Sequence, residues 1–424
     1  MAVSSSRKKT ANKSAGKAAG KAAGKKAVTG KARAAAKPAA RKTAARAAQK
    51  PAAKKSSNPL GLEKKVPGQF DTLQEIALAA YRKMPAPVWD HLMGGSDSEM
   101  TLRRNRASLD ALALRQRVLV DVRQIDMSTS LLGQAMNIPV FPAPVGGFLS
   151  KVHHEGGPAV ARAAVSRGTT AFIATAAKPS LEAAQQAVDR KLVFQLYVRG
   201  DRSWIEGVLD RVKAAKYAAL CVTVDRNYYG RRERDIVSGL PVKEGFGDQS
   251  YQASLNWKDL VWMKERVGLP LIAKGVATAE DAELAVEHGA DVVYVSNHGG
   301  RQLDHGQGGA EVLAEVVRAV AGRAEVLADG GVMRGTDVVK MLCLGARAVG
   351  VGKLLGLALS AGGEAGVARM LELMEVEIRH VLGLMGVTSI KQLGPQWLRE
   401  VPVLGTPSSV SAYPLLEDAV RRGR

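Results

Sequence analysis

A chain of 424 residues with 46% hydrophobic content can bury a large core, as one large α/β domain with an appendage or as three small domains. Its two cysteines, Cys221 and Cys343, both lie in apolar runs, which excludes a disulfide framework and a metal cluster built on thiolates. The net charge of +21 would suggest a nucleic-acid binder, but residues 1–58 hold 17 Lys or Arg and no acidic residue, leaving the other 366 residues a net charge of +4.

From Arg7 to Lys55 the sequence is almost only Ala, Lys, Arg, Gly, Ser, Thr and Pro. That composition buries too little apolar surface to offset its ordering entropy, so a disordered basic N-terminal tail is expected over residues 1–58. Its Lys/Ala texture ("GKAAGKAAGKKA") resembles the tails of linker histones and bacterial histone-like proteins. Three readings stay open: a tether to nucleic acid or another polyanion, an organellar transit peptide, and a solvated tail with no partner. No run of about 18 apolar residues and no apolar secretory leader is visible, so a soluble cytoplasmic protein is expected.

Residues 59–424 form the second expected domain. "FDTLQEIALAAYRKM" predicts a helix capped by Asp71 or Thr72. Eight short apolar runs follow, at 138–144, 169–175, 192–198, 218–225, 270–276, 291–297, 325–331 and 348–352. Segments such as "DRSWIEGVLDRVKAAK" and "TAEDAELAVEHG" separate them with helical periodicity. Continuous apolar strands joined by crossover helices mean a parallel sheet covered by helices. Eight such units in about 220 residues predict an α/β fold of the (β/α)8 TIM-barrel type, with the active site at the C-terminal strand ends.

Polar residues interrupt those strands at or near that end: Gln195, Tyr197, Thr223, Asp225, Lys274, Ser296, His298 and Asp329. An unsatisfied polar group in a core costs about 1–3 kcal/mol, so such clustering marks a site. His298 and Arg301 share one loop. Arginine grips a carboxylate by two parallel hydrogen bonds, and a histidine supported by a carboxylate such as Asp225 can act as a general base.

The segment "SNHGGRQLD", Ser296 to Asp304, resembles the active-site signature of the FMN-dependent α-hydroxy-acid oxidases and dehydrogenases. "LYV", "TVD", "LIAKGV", "LADGGVMRGTDVVKMLCLGA" and "GGEAGV" occur in the same order, and the resemblance runs from about Phe70 to the C-terminus. It implies FMN as cofactor, an (S)-2-hydroxy acid as substrate, a 2-oxo acid as product and a homotetramer. His298 would remove a proton as electrons pass to the flavin, as hydride or through a carbanion, with Asp225 orienting it. Arg301 and Arg232 would hold the carboxylate and Tyr197 would bond the substrate. Lys274 would lie beside the reduced ring. Gln195, Thr223, Ser296 and the backbone of Ala143, Pro144, Val145 and Gly146 would bind the isoalloxazine. Asp329, Gly331, Arg334, Gly352 and Lys353 would cradle ribityl and phosphate.

The sequence departs from the family at several positions. His91 replaces a usual carboxylate-binding tyrosine, Met333 and Lys353 replace arginines on the phosphate side, Ala174 replaces a flavin-contacting serine, and Ala176 a bulky pocket residue. The segment 240–257 replaces a longer lid. His153, His154, His288, His305 and His380 are assigned no catalytic part, and no metal site is expected. Two alternatives remain: the same flavin chemistry with another outcome or substrate, such as a monooxygenase-like or amine-oxidising enzyme, and an inactive barrel anchoring a nucleic-acid-binding tail.

Overall fold

The computed structural model describes residues 69–240 and 250–423; the expected disordered tail and its partners lie outside them, as does much of the shortened lid segment. The body opens with the helix Leu73–Lys83. Thr72 caps it, accepting from the Glu75 amide while the Glu75 carboxylate turns back to the cap, a capping box that starts the helix where the apolar spacing begins.

Eight parallel strands follow: β1 (Val140–Pro142), β2 (Phe172–Ala174), β3 (Val193–Leu196), β4 (Ala219–Thr223), β5 (Leu271–Val276), β6 (Val292–Val295), β7 (Glu325–Ala328) and β8 (Ala348–Val351). Each pairs in parallel with its sequence neighbour from β2 to β8, and β8 pairs with β1. Between β1 and β2 the wall is closed by single bonds, Thr169 Oγ1 to the Val140 carbonyl at 2.6 Å and the Asn137 amide to Gly168 at 2.9 Å. This is the expected (β/α)8 barrel.

All eight expected strands exist, but they are shorter than the apolar runs. The run at 325–331 stops as a strand at Ala328 because Gly330 and Gly331 take φ of 107° and 77°, conformations that leave the β region. The interior is filled by Phe141, Phe172, Cys221, Ile272, Tyr294 and Leu327. Phe141 stacks on Phe172 with centroids 4.6 Å apart, and Tyr294 meets both edge-on; such pairs contribute about 0.5–1.5 kcal/mol each beyond area burial. An antiparallel hairpin, Thr129–Leu131 with Gln134–Met136, joins this interior cluster through Leu131 and Met136. The first residues of β3, β4, β6 and β8 belong to the same cluster, so the hairpin stoppers the N-terminal end and leaves the other end for chemistry.

Outside the strands the helices bury a second, continuous core. The helix Lys353–Met385 is long and apolar enough to cross a bilayer, yet it breaks at Gly362–Gly363 and packs against Leu73–Lys83 and Gly156–Ser166 as a core helix. Arg106, on the helix Met100–Asp110, forms a buried bidentate pair with Asp337, both bonds 2.8 Å. Asp337 also accepts from the Met333 and Arg334 amides, so one carboxylate ties the N-terminal helices to the loop after β7.

Candidate active site

A cavity of about 890 Å³ opens at the C-terminal strand ends. Residues at or just past the ends of all eight strands contribute to it, from Ala143–Gly147 after β1 to Gly352 and Lys353 after β8. His298 stands on the loop after β6 with φ of 59°, followed by Gly299 and Gly300 at 68° and 75°. Three successive left-handed residues fold the chain sharply back, and a non-glycine residue held there marks strain kept for a purpose.

The imidazole is fixed from both sides. Nδ1 lies 3.1 and 3.2 Å from the two Asp225 oxygens, and Nε2 lies 2.8 Å from the Tyr197 hydroxyl. A carboxylate can only accept, so Nδ1 carries the hydrogen and the neutral ring keeps its lone pair on Nε2. Burial pushes the His298 pKa below the ordinary imidazole value; Asp225 works against this, and Lys274 and Arg232 reinforce it. Neutral His298 with its Nε2 pair unprotonated, accepting from Tyr197, is the form a general base needs. Burial raises the Tyr197 pKa, so its hydroxyl stays a donor.

Strand β5 supplies the cation. A bulge between Lys274 and Val276 centres on Gly275, whose φ is 115°. A Cβ there would stand 2.6 Å from the Asp225 Cβ, so only glycine lets the strand pass the residue that orients His298. Lys274 Nζ donates to Ser296 Oγ at 2.8 Å and lies 3.6 Å from Asp329. Burial opposes its charge, but Asp329 and Asp225 outweigh that and push its pKa up to about 12.

The carboxylate-binding candidates meet on the other side. Arg301 donates to the His91 carbonyl and to the Gly94 carbonyl at 3.0 Å, which leans its guanidinium on the helix Ala86–Met93. Arg232 stacks its guanidinium 4.3 Å from the Tyr229 ring centroid, and among the described residues its buried Nε has no hydrogen-bond partner. Burial beside Arg232 pushes the Arg301 pKa down; the guanidinium still carries its charge, and an incoming carboxylate would relieve that cost. Gly230 makes the meeting feasible: a Cβ would lie 2.4 Å from the Arg301 carbonyl.

The structure also separates working residues from scaffolding within "SNHGGRQLD". Asn297 exchanges two amide bonds with Asn105, at 2.9 and 2.8 Å. Gln302 bonds the carbonyls of Asp225 and Tyr228, both at 2.8 Å. Asp304 accepts from the amides of Ser98 and Thr101 at the start of the helix Met100–Asp110. None of these three lines the cavity.

Barrel and cavity together bring a buried histidine–aspartate pair, a buried lysine and two arginines to one end of the strands, and comparison with known proteins specifies the class of enzyme. The family of FMN-dependent dehydrogenases matches residues 80–251 and 243–400. L-lactate oxidase of Nostoc sp. is 38% identical over 340 residues, 73% of this chain and 93% of that protein. Glycolate oxidase of Spinacia oleracea is 38% identical over 349 residues, 77% of this chain and 94% of its own. A crystal structure of mandelate oxidase superposes with a TM-score of 0.72 at 35% identity, covering 80% of this chain and all of that one. A soluble mutant of (S)-mandelate dehydrogenase from Pseudomonas putida gives a TM-score of 0.74 at 31% identity, covering 78% and 100%. The chain belongs to the FMN-dependent dehydrogenase family and is an FMN-dependent oxidoreductase acting on the CH–OH group of 2-hydroxy acids.

The residues present fit the flavin ring. Gln195 and Thr223 are fully buried and bonded to each other at 2.7 Å, yet among the described residues the Gln195 Oε1 acceptor has no partner, nor has Asp329 Oδ1. A Cβ at Gly146 would touch only Ala176 and Tyr197 at 3.6 and 3.7 Å, leaving an open face beside the backbone of Ala143–Gly147. The phosphate end carries less charge. Met333 is buried in the cavity wall and Lys353 Nζ is taken by the Leu92 and Gly94 carbonyls, both at 3.1 Å. Arg334 pairs with Glu377 at 3.0 Å and is not part of the wall. Beside Gly331 and Gly352 the wall also includes Arg106, which donates to the Gly331 carbonyl at 3.2 Å.

Sequence reasoning left Asp235, Arg226, Tyr229 and Phe148 unassigned. Arg226 lies 4.6 Å over the Tyr197 ring, and Phe148 stacks on His91 at 5.9 Å. Asp235 is buried with both oxygens 3.0 Å from His91 Nδ1. Its one sequence signal was its place three residues after Arg232, on the face a helix would share. Of the other histidines, His288 closes the helix Ala279–Glu287 and bonds Leu284, and His380 is exposed on its helix. His305 meets Ser98 outside the cavity. Cys221 and Cys343 are buried free thiols, and no metal-ligand cluster occurs among the described residues.

Proposed function

We propose that the substrate is an (S)-2-hydroxy acid whose carboxylate is held by Arg301 and Arg232 while Nε2 of His298 receives a proton. The observation that carries this reading is His298 clamped between Asp225 and Tyr197, on the same cavity wall as both arginines. Held in this cavity, FMN would supply the acceptor for the two electrons and one of the two hydrogens lost as the CH–OH group becomes a carbonyl. One proton leaves through His298, whose new charge Asp225 offsets. Tyr197 donates to the substrate oxygen that displaces its bond to Nε2. Lys274, fixed by Ser296 and Asp329, holds a positive charge that would favour a reduced, anionic flavin. Ala176 leaves side-chain space, so acids larger than glycolate fit.

The test is an anaerobic visible spectrum of the holoenzyme before and after lactate, glycolate, mandelate and a longer aliphatic 2-hydroxy acid. Bleaching by one of them, abolished in His298→Gln, supports the reading. An FMN-loaded protein bleached by none of them refutes it.

The finer readings are a homotetramer in the cytoplasm and a tail over residues 1–58 that binds nucleic acid or another polyanion. Seventeen basic residues without an acidic one support the last, since counterion release makes such binding steeply salt-dependent. Removing residues 1–58 should abolish salt-sensitive retention on DNA and leave turnover unchanged.

A further inference from the structure

Two histidine–carboxylate pairs face one cavity, and the general-base reading uses only His298 with Asp225. The second is His91 with Asp235. His91 ends its helix beside the carboxylate corner, stacked on Phe148, with Nδ1 equidistant from both Asp235 oxygens at 3.0 Å. Arg301 is bonded to the His91 backbone carbonyl, so the imidazole and the guanidinium are held as one unit. Nε2 makes no hydrogen bond among the described residues, and the residue forms part of the cavity wall.

The charges around it decide its state. Arg232 and Arg301 crowd the ring with positive charge, and Asp235 is the carboxylate that answers them. The nearby Arg234, Glu99 and Asp90 are spent on one another, at 2.7 Å for Arg234 to Glu99 and 3.6 Å to Asp90. Burial, Arg301 and Arg232 push the His91 pKa below the ordinary value, with Asp235 resisting, so the ring is neutral in the free protein at neutral pH. Asp235 can only accept and therefore holds the Nδ1 hydrogen. Neutral His91 then offers Nε2 as a lone pair, which repels a carboxylate. A substrate carboxylate puts an acceptor on the second nitrogen too, and a ring between two acceptors is stable only with both nitrogens protonated.

We propose that His91, steered by Asp235, is a proton-loading donor of the carboxylate subsite: it takes up one proton from solvent as the 2-hydroxy acid binds. Asp235 is accordingly a positioning residue for substrate affinity. The inference rests on the 2-hydroxy-acid reading of this cavity. Its consequence is an affinity that weakens as pH rises above the free-protein value of His91, by up to about tenfold per pH unit.

The experiment is calorimetric titration of the FMN-loaded enzyme with oxalate, a carboxylate without an oxidisable C–H bond, at pH 8 in two buffers of different ionisation heat. Flavin absorbance is followed in parallel. Wild type and His298→Gln should each take up about one proton per oxalate. His91→Gln, which keeps a neutral donor, should take up none and bind with pH-independent affinity. Asp235→Asn should bind more weakly, with its loss of affinity beginning at lower pH. Oxalate binding without uptake in wild type, or uptake that survives in His91→Gln, overturns the inference while leaving the 2-hydroxy-acid reading intact. Failure of oxalate to bind or perturb the flavin in any form refutes that reading, and the inference with it.

Discussion

Replacing Asp225 by Asn isolates what its charge does for His298, because the amide keeps nearly the same shape at a buried position. The carboxylate lies 3.1 Å from Nδ1, and unit charges about 4 Å apart at an effective dielectric of about 20 attract by about 4 kcal/mol. Asparagine retains a neutral hydrogen bond worth about 1 kcal/mol, so the protonated imidazole that forms during turnover loses about 2–3 kcal/mol. That converts to a fall of about 30- to 150-fold in the rate of flavin reduction. The assay is anaerobic stopped-flow reduction at saturating 2-hydroxy acid, across pH. Asp225 raises the His298 pKa against burial, so its loss should also move the acid limb of the rate profile to lower pH, the limb where a protonated base regains activity as pH rises. A decrease under about fivefold, with an unmoved acid limb, would show that Asp225 serves only to hold the ring.

Arg106→Leu should destabilise the protein by about 3–5 kcal/mol in urea unfolding, because it strands Asp337 buried without its partner; Arg106→Leu with Asp337→Asn should recover part of the loss. Arg106 holds the Asp337 pKa down despite burial, so this stabilisation is present above the unfolded carboxylate value near about 4 and fades as pH falls through the folded value. Gly230→Ala should cut kcat/KM by about 100-fold while the fold persists, since its Cβ would press on the Arg301 carbonyl at 2.4 Å and on Ser96 Oγ at 2.6 Å. Turnover within a few-fold of wild type would refute that packing argument. Met333→Arg should tighten FMN by about 10-fold or more in a fluorescence titration, by adding a guanidinium to the cavity wall beside Gly331 and Gly352. Unchanged affinity would mean the phosphate lies elsewhere.

The barrel was legible because its cause is local. Each β/α unit carries its own apolar run, helical stripe and cap, and eight repeats leave few ways to bury both faces of a parallel strand. The polar residues at strand ends were legible for the same reason: Lys274 and Gln195 break a pattern that burial otherwise enforces. Strand limits were less so, since the glycines after Ala328 end β7 inside a run that still reads as apolar. Nor could the sequence divide the signature's polar residues, of which His298 and Arg301 face the cavity while Asn297, Gln302 and Asp304 hold loops together. His91 and Asp235 are 144 residues apart, and Arg106 and Asp337 are 231 apart. The sequence by itself determined the repeat, the positions where burial is interrupted and the chemistry on offer there. Only the tertiary structure decided which groups meet. Hydrogen bonds and ion pairs act over a few ångströms, and that proximity is created by barrel closure and loop packing, which no local pattern encodes.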